Sequence, residues 1–230
     1  MVSTPSAGGR PRRSGVVTDD PRTGIVTAAA ALFARQGFHA TRMSQIAGAA
    51  GLRQSSIYYW FRSKDEILRS IMDQNRWSLT AARALLAESE AAAVRLYVVL
   101  YLDVVQMCSA PLNFYSLEEA AVDQPDVFED FHVAYAELTQ ALAEIVAAGV
   151  EGGDLQPVEP AEFVSTALSL NEGVQYRFHA SGGEAEDVGR VADSAATMAV
   201  RSLLPPGVDV AGVRRLAREG VGGFRAVVPA

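Results

Sequence analysis

Arg53, Gln54, Ser55, Ser56, Tyr58 and Tyr59 crowd into one short stretch whose side chains suit the reading of a DNA duplex. Arg can place two N–H donors on guanine O6 and N7, and Gln can bond adenine N6 and N7 in the same two-pronged way. Hydroxyls of Ser and Tyr suit phosphate oxygens, which take most protein–DNA hydrogen bonds. For Arg53 and Gln54, phosphate contact or plain solvation stays open beside base reading.

The spacing around them is restrictive. In IAGAAGLRQSSIYYWFRSK, from Ile46 to Lys64, Ala47, Gly51 and Ile57 fall where a helix-turn-helix is sterically constrained. Ala47 is small where two helices cross, and Gly51 suits a turn that needs positive φ. Ile57 is the apolar anchor of the second helix. Those three positions alone recur by accident in helical proteins, but the run Tyr58, Tyr59, Trp60, Phe61 and the cap after it make accident a poor account. Ser63 and Glu66 form a capping box that starts a helix at Lys64. A cation there opposes the helix dipole at a cost of roughly 0.3–1 kcal/mol. A bound phosphate would offset that cost. Arg42 and Ser44, at the entry to the motif, join the candidate DNA contacts.

Charge follows the same division. Seven basic residues face two acidic ones between Pro21 and Arg69, whereas ten face twenty-three from Ser70 onward, within a net charge of -7. A basic N-terminal quarter on an acidic remainder suits a DNA reader carried by a body that does not touch DNA. Residues 1–20 hold Arg10, Arg12 and Arg13 amid Ser, Thr, Pro and Gly and read as a flexible tail, without the apolar core of a secretory signal. No apolar run approaches the ~18 residues of a membrane span. The single cysteine, Cys108, cannot form an internal disulfide and reads as a buried apolar residue. The expectation is a cytoplasmic protein.

The elements that position these residues are all helical, because period-3.6 patterning runs through the chain without sustained strand-like alternation. Helices are expected at about Pro21–Gln36, Met43–Ala50 with a cap at Thr41 or Ser44, and Gln54–Phe61. A long fourth helix is expected from the Ser63 cap to about Glu88. Further helices fall at about Ala91–Ser109, Asn113–Val122, Pro125–Ala148, Pro160–Ala180, Glu184–Leu203 and Asp209–Glu219. The loop before Pro160 is marked by Gly149, Gly152, Gly153 and Pro157. The expected organisation is a tail (1–20), a helix-turn-helix domain (21–66), a helical regulatory and dimerisation domain (67–219) and a tail (220–230).

The stretch AAAALFARQGFHATRMSQIAGAAGLRQSSIYYWFRSKDEIL resembles the TetR family of bacterial regulators, from about Ile25 to Leu68. The shared pattern is F-x-x-x-G-F/Y, then A-T, then I-A-x-x-A-G, then L/I-Y-x-Y/W-F-x-S-K. Beyond Ser70 the likeness is confined to helix number and the Gly153-Asp154-Leu155 turn. The resemblance implies phosphate contacts by Thr41, Tyr58 and Lys64, and Tyr59 against the backbone or base edges. Where the family often carries Ser or Thr, then Lys, then Gly or Ala, this chain has Arg53, Gln54 and Ser55. It also implies a small, substantially apolar effector bound in the C-terminal body. Met107, Phe114, Tyr115, Phe131 and Tyr135 offer apolar walls for it, and Asn171 and Gln175 polar groups.

One face of the Glu184–Leu203 helix carries Val188, Val191, Ala192, Ala195, Met198 and Ala199, small enough for close helix pairing. It is expected either to be buried within the monomer or to pair with its two-fold mate. The three histidines lack metal-ligand spacing and no phosphate-cradling loop follows a strand, so neither a metal, a cofactor nor a catalytic group is expected. The reading is an all-α homodimeric transcriptional regulator, a repressor that leaves a near-palindromic operator when an effector binds. Alternatives are a ligand-binding or enzymatic helical domain with a purely structural helix-turn-helix, and a ligand-independent activator or architectural factor.

Overall fold

The computed structural model describes residues 20–73, 76–109 and 125–226, and among these no strand is present beyond an isolated Val221–Phe224 bridge. The chain divides into two compact units, one up to Leu68 and one from Arg69, and the division falls within a single helix.

The first unit holds α1 (Pro21–Gln36), α2 (Met43–Ala49), α3 (Gln54–Trp60) and the start of α4 (Lys64–Asp73). The Asp20 carboxylate accepts from the N–H groups of Arg22 and Thr23 at 3.0 and 3.2 Å, so α1 starts on a true N-cap with Pro21 at its first position. Ile25, Ala29, Leu32 and Phe33 recur at helical spacing and are buried, while Gly37 ends the helix with φ at 83°. The N-cap of α2 is Arg42, not Thr41 or Ser44: the Gln45 side chain reaches back to accept from the Arg42 N–H at 2.8 Å.

In the second unit, α5 (Trp77–Leu85) and α6 (Ala92–Ser109) are followed by α7 (Pro125–Glu151), α8 (Pro160–Ala180), a 3-10 turn (Ala185–Asp187), α9 (Val188–Arg201) and α10 (Val210–Glu219). The expected long fourth helix is two helices, since α4 ends at Asp73 and α5 begins anew from Arg76 with φ −118° and ψ 14°. The expected Asn113–Val122 helix lies outside the described residues, as do Phe114, Tyr115 and residues 1–19.

Helix α6 is the axis of this body, packed by α5, α7, α8, α9 and α10, and thirteen of its eighteen residues are buried. A helix apolar all round belongs inside a protein or a bilayer. Contrary to the expectation from run length, α6 and residues 129–151 of α7 are long and apolar enough to cross a membrane, but 78% of the α6 window is buried within the body. Its ends are held by side chains. Asp154 accepts from Ala92 N, and buried Arg95 donates to the carbonyls of Leu85 and Leu86 that end α5.

Gly149 lies inside α7, which runs past the expected loop to Glu151. A Cβ there would sit 2.5 Å from the Ala92 Cβ, so glycine permits the close approach of α7 to α6. Beyond α10 the chain is not a loose tail up to residue 226. Val221 and Phe224 exchange backbone hydrogen bonds of 2.8 Å, Ala226 N donates to Ala217 O, and Val221 and Ala226 are buried.

Candidate nucleic-acid interface and effector site

The turn between α2 and α3 is built as its residues require. Gly51 takes φ 71°, Leu52 N donates to Ala47 O at 2.8 Å, and Gly51 N to Gly48 O, closing α2 with a glycine in the left-handed region. Ala47, Ile57 and Phe61 are fully buried, which fixes the rotation of α3. At 100° per residue, Ser55, Tyr58 and Tyr59 point away from Ile57, flanked by Gln54 and, on the N-cap, Arg53. All five are exposed, Tyr59 by 84%. Ser56 and Trp60 are half-buried on the flank, with Trp60 edge-on to Tyr59 at 5.4 Å. Arg42, Ser44, Arg53 and Arg62 are exposed in the same unit. The expected contact set thus falls on solvent, apart from Ser56 on the flank and two members turned inward.

Those two are Thr41 and Lys64. Thr41 is only 2% exposed; its hydroxyl donates to Gly37 O at 2.8 Å and accepts from Gln36 Nε2 at 3.1 Å. Its role is to close the loop between α1 and α2, and no hydroxyl remains for phosphate. The Lys64 ammonium donates to the carbonyls of Phe38, Thr41 (3.1 Å) and, more weakly, His39 (3.4 Å), and lies 4.1 Å from the Phe38 ring centroid. Burial pulls its pKa down, with Asp65 acting the other way. The cap was readable: Ser63 Oγ accepts from Glu66 N at 3.2 Å, and Glu66 accepts from Arg62 N at 2.7 Å. The cation at that cap is turned into the α1–α2 loop, so the sequence expectation of a phosphate partner is replaced by a clamp.

In the second unit, Asn171 and Gln175 of α8 are fully buried, while Met107 and Phe131 are half-buried and Tyr135 is exposed at the surface. Tyr135 donates to Glu172 at 3.1 Å, and its ring lies tilted against that of Phe131 with centroids 6.1 Å apart. Asn171 Nδ2 donates to Asp103 Oδ2 at 3.0 Å and to Leu100 O at 3.2 Å. Asp103, Gln106 and Ser78 were missed in the sequence. Gln106 Nε2 donates to Ser78 Oγ (2.8 Å) and Asp103 Oδ1 (3.3 Å), and Gln106 Oε1 accepts from Ser78 N. Burial pushes the Asp103 carboxyl up to about 6 against the pull of Asn171, Ser78 and Gln106. The missed signal was there: Asp103 is the one charged residue between Leu96 and Ser109. Asn171 Oδ1 is buried with no hydrogen-bond partner, which ordinarily costs about 1–3 kcal/mol. Exchanging its amide atoms would set oxygen against Leu100 O and Asp103, so the orientation is fixed by the network.

The expected dimer face is partly mislaid. Val188, Ala192, Ala195 and Ala199 are buried in the body's core against α6, Val191 is half-buried, and Met198 is 62% exposed. Small residues on α9 accommodate the large ones of α6, where Tyr97 donates its hydroxyl to Asp193 of α9. An open cleft of about 900 Å³ instead runs along the outer side of α8 and α9, lined in part by Val174, Tyr176, Arg177, Arg190 and Val191. Cys108 is buried, and burial, with the Asp103 charge beside it, pushes its thiol up to about 12.

The sequence profile described as "Bacterial regulatory proteins, tetR family" matches residues 25–71. The chain is 29% identical over 144 residues to the HTH-type transcriptional regulator RutR of Escherichia coli K12, covering 61% of this chain and 66%, just under two thirds, of that one. Mycobacterium smegmatis AmtR is 30% identical with a TM-score of 0.70, covering 90% of this chain and 95% of its own. AibR, solved with isovaleryl coenzyme A and operator DNA, shares the fold at 16% identity and a TM-score of 0.57, over 78% and 97% of the two chains.

Proposed function

The chain belongs to the tetR family of bacterial regulatory proteins, and from that premise we propose that it is a cytoplasmic, homodimeric repressor released from a near-palindromic operator by a small effector. The observation that carries the reading is the outward face of α3. Arg53, Gln54, Ser55, Tyr58 and Tyr59 are exposed together while Ile57 and Phe61 hold the helix from behind. The Arg42, Arg53 and Arg62 cations supply attraction to the phosphate backbone. Two copies would enter successive major grooves, because only a separation of about 34–36 Å, or a multiple, matches the repeat of the duplex. An effector in the helical body would favour release by changing that separation, and AibR, a relative in fold, is a protein that takes both a small molecule, isovaleryl coenzyme A, and operator DNA.

The second copy would pack on the outer sides of α8 and α9, with Met198 and Val191 in the contact rather than Ala195. Site selection from a random duplex library tests the reading. A single preferred palindrome is expected, with log K falling by ~0.9 against log salt per phosphate neutralised. Arg53→Ala or Gln54→Ala should relax preference at one base position per half-site, worth ~1–3 kcal/mol. Unchanged preferences would reduce both residues to backbone contacts, and absence of any preferred duplex would remove the regulator reading.

A further inference from the structure

The chain enters the reading unit beside the helix that carries Tyr58 and Tyr59. Asp20 caps α1, its carboxylate accepting from Arg22 N, Thr23 N and the Thr23 hydroxyl at 2.7–3.2 Å. Two residues on, the Arg22 guanidinium lies 4.8 Å from the centroid of the Phe61 ring, and Phe61 is the C-cap of α3. The start of α1 is therefore held against the end of α3. Arg22 and Arg62 are both exposed there, so cations stand where the chain arrives. The residues ahead of Asp20 include the run Gly8-Gly9-Arg10-Pro11-Arg12-Arg13, which the reading of a half-site by α3 leaves unused. Its residue types suit a narrow groove. Pro11 biases Arg10 toward extended backbone and carries no N–H of its own. Gly8 and Gly9 have no side chain to hold the backbone off a groove floor. The nearest carboxylates in sequence are Asp19 and Asp20, and Asp20 is committed to the α1 cap.

We propose that this arginine run binds the minor groove of A·T-rich DNA bordering each half-site while α3 occupies the major groove. The inference rests on the operator-binding reading above and extends the contact beyond the helix-turn-helix. Reach permits it. Arg13 and Arg10 stand seven and ten positions ahead of Asp20, which at ~3.3–3.6 Å per residue is about 23–25 and 33–36 Å of extended chain. The adjoining minor groove is half a turn away, roughly 17 Å along the duplex axis. A short tether also keeps the run at an effective concentration on the order of millimolar, so a weak groove affinity suffices. The minor groove then selects arginine and A·T together. Its A·T edges offer only the acceptors adenine N3 and thymine O2, whereas guanine adds an N2 donor that opposes an N–H. Stiff A·T tracts narrow the groove and deepen its negative potential, which draws in a guanidinium. Attraction to phosphates alone would carry no such base preference.

The test uses the full chain and its selected operator with three kinds of base pair bordering the half-sites: A·T, G·C and inosine·C. Inosine lacks the guanine N2 amino group, so its pair with C shows the minor groove an A·T-like edge and the major groove a G·C-like one. Wild type should bind A·T and inosine·C borders alike and G·C borders roughly tenfold more weakly. Arg10→Ala, Arg12→Ala and Arg13→Ala together should erase that difference. The salt slope should become shallower by ~0.9 for each arginine that neutralises a phosphate. Equal affinity of wild type for all three borders overturns the inference, and so does inosine·C behaving like G·C. A triple variant that keeps the wild-type discrimination also overturns it, even if its affinity falls on every border, because that fall is phosphate attraction without groove reading. Preference at the half-site bases facing α3 is scored on the same protein. Its absence fails the operator reading first, whereas its presence beside indifferent borders fails the arginine run alone.

Discussion

At Lys64, the difference between a phosphate ligand and a loop clamp is decided by where one ammonium directs its N–H bonds. The carbonyls of Phe38, His39 and Thr41 lie 23 to 26 residues earlier in the chain, and no local spacing announces that they converge there. What the sequence did carry was the helix start, since Ser63 and Glu66 cap it as their types require. The two roles separate on measurement. Lys64→Ala should lower the stability of the N-terminal unit by about 1.5–3 kcal/mol, the scale of hydrogen bonds from a charged group. It should weaken operator binding while leaving the salt slope unchanged. A slope shallower by ~0.9, with melting unaffected, would return Lys64 to the phosphate backbone. Thr41 was misplaced for the same reason: its hydroxyl satisfies Gly37 O, a partner set by the loop's path and not by residue type.

At the scale of elements, helix existence was legible because apolar residues recur at 3.6-residue spacing, and Gly37, Pro125 and Pro160 stand where helices end or begin. Boundaries without Gly or Pro were not. Nothing in residues 73–76 signals that α4 stops and α5 starts, so one helix was expected from Ser63 to Glu88. Periodicity also names a face without naming what covers it. The Val188, Ala192, Ala195, Ala199 stripe of α9 could serve either α6 or a second subunit, and burial assigns it to α6. Ala195 is 3% exposed, so Ala195→Arg should place an unpaired cation in the core, cost several kcal/mol and abolish the helical circular dichroism of the body. Met198→Arg tests the dimer instead. Its side chain is solvent-facing in the single chain, so the variant should keep its helicity and sediment as a monomer. A Met198→Arg dimer as tight as wild type would move the contact away from the outer side of α9.

Across the whole molecule, the charge division read from the sequence separates a basic reading unit from an acidic body, and composition alone sufficed for that. The body's response to pH was not readable, because it depends on which carboxyl groups the fold buries and with whom. Two of them act in opposite senses. Burial would raise Asp193, but hydrogen bonds from Arg214 and Tyr97 and the charges of Arg214 and Arg218 hold it below its ordinary value. Its contribution is present above about pH 4 and is lost as acid protonates it. Asp103 behaves inversely. Folding raises its pKa from 3.8 to about 6, so the folded chain binds the proton more tightly and stability falls as pH rises between those values. At 1.36 kcal/mol per pKa unit, that fall is about 3 kcal/mol. The body should therefore melt higher near pH 5 than at pH 7, and Asp103→Asn, which has no proton to release, should flatten the difference while leaving the acid limb set by Asp193. Melting curves of both proteins from pH 4 to pH 7.5 check it. A variant whose melting temperature still falls between pH 5 and pH 7 as steeply as wild type would show that the slope belongs to another group.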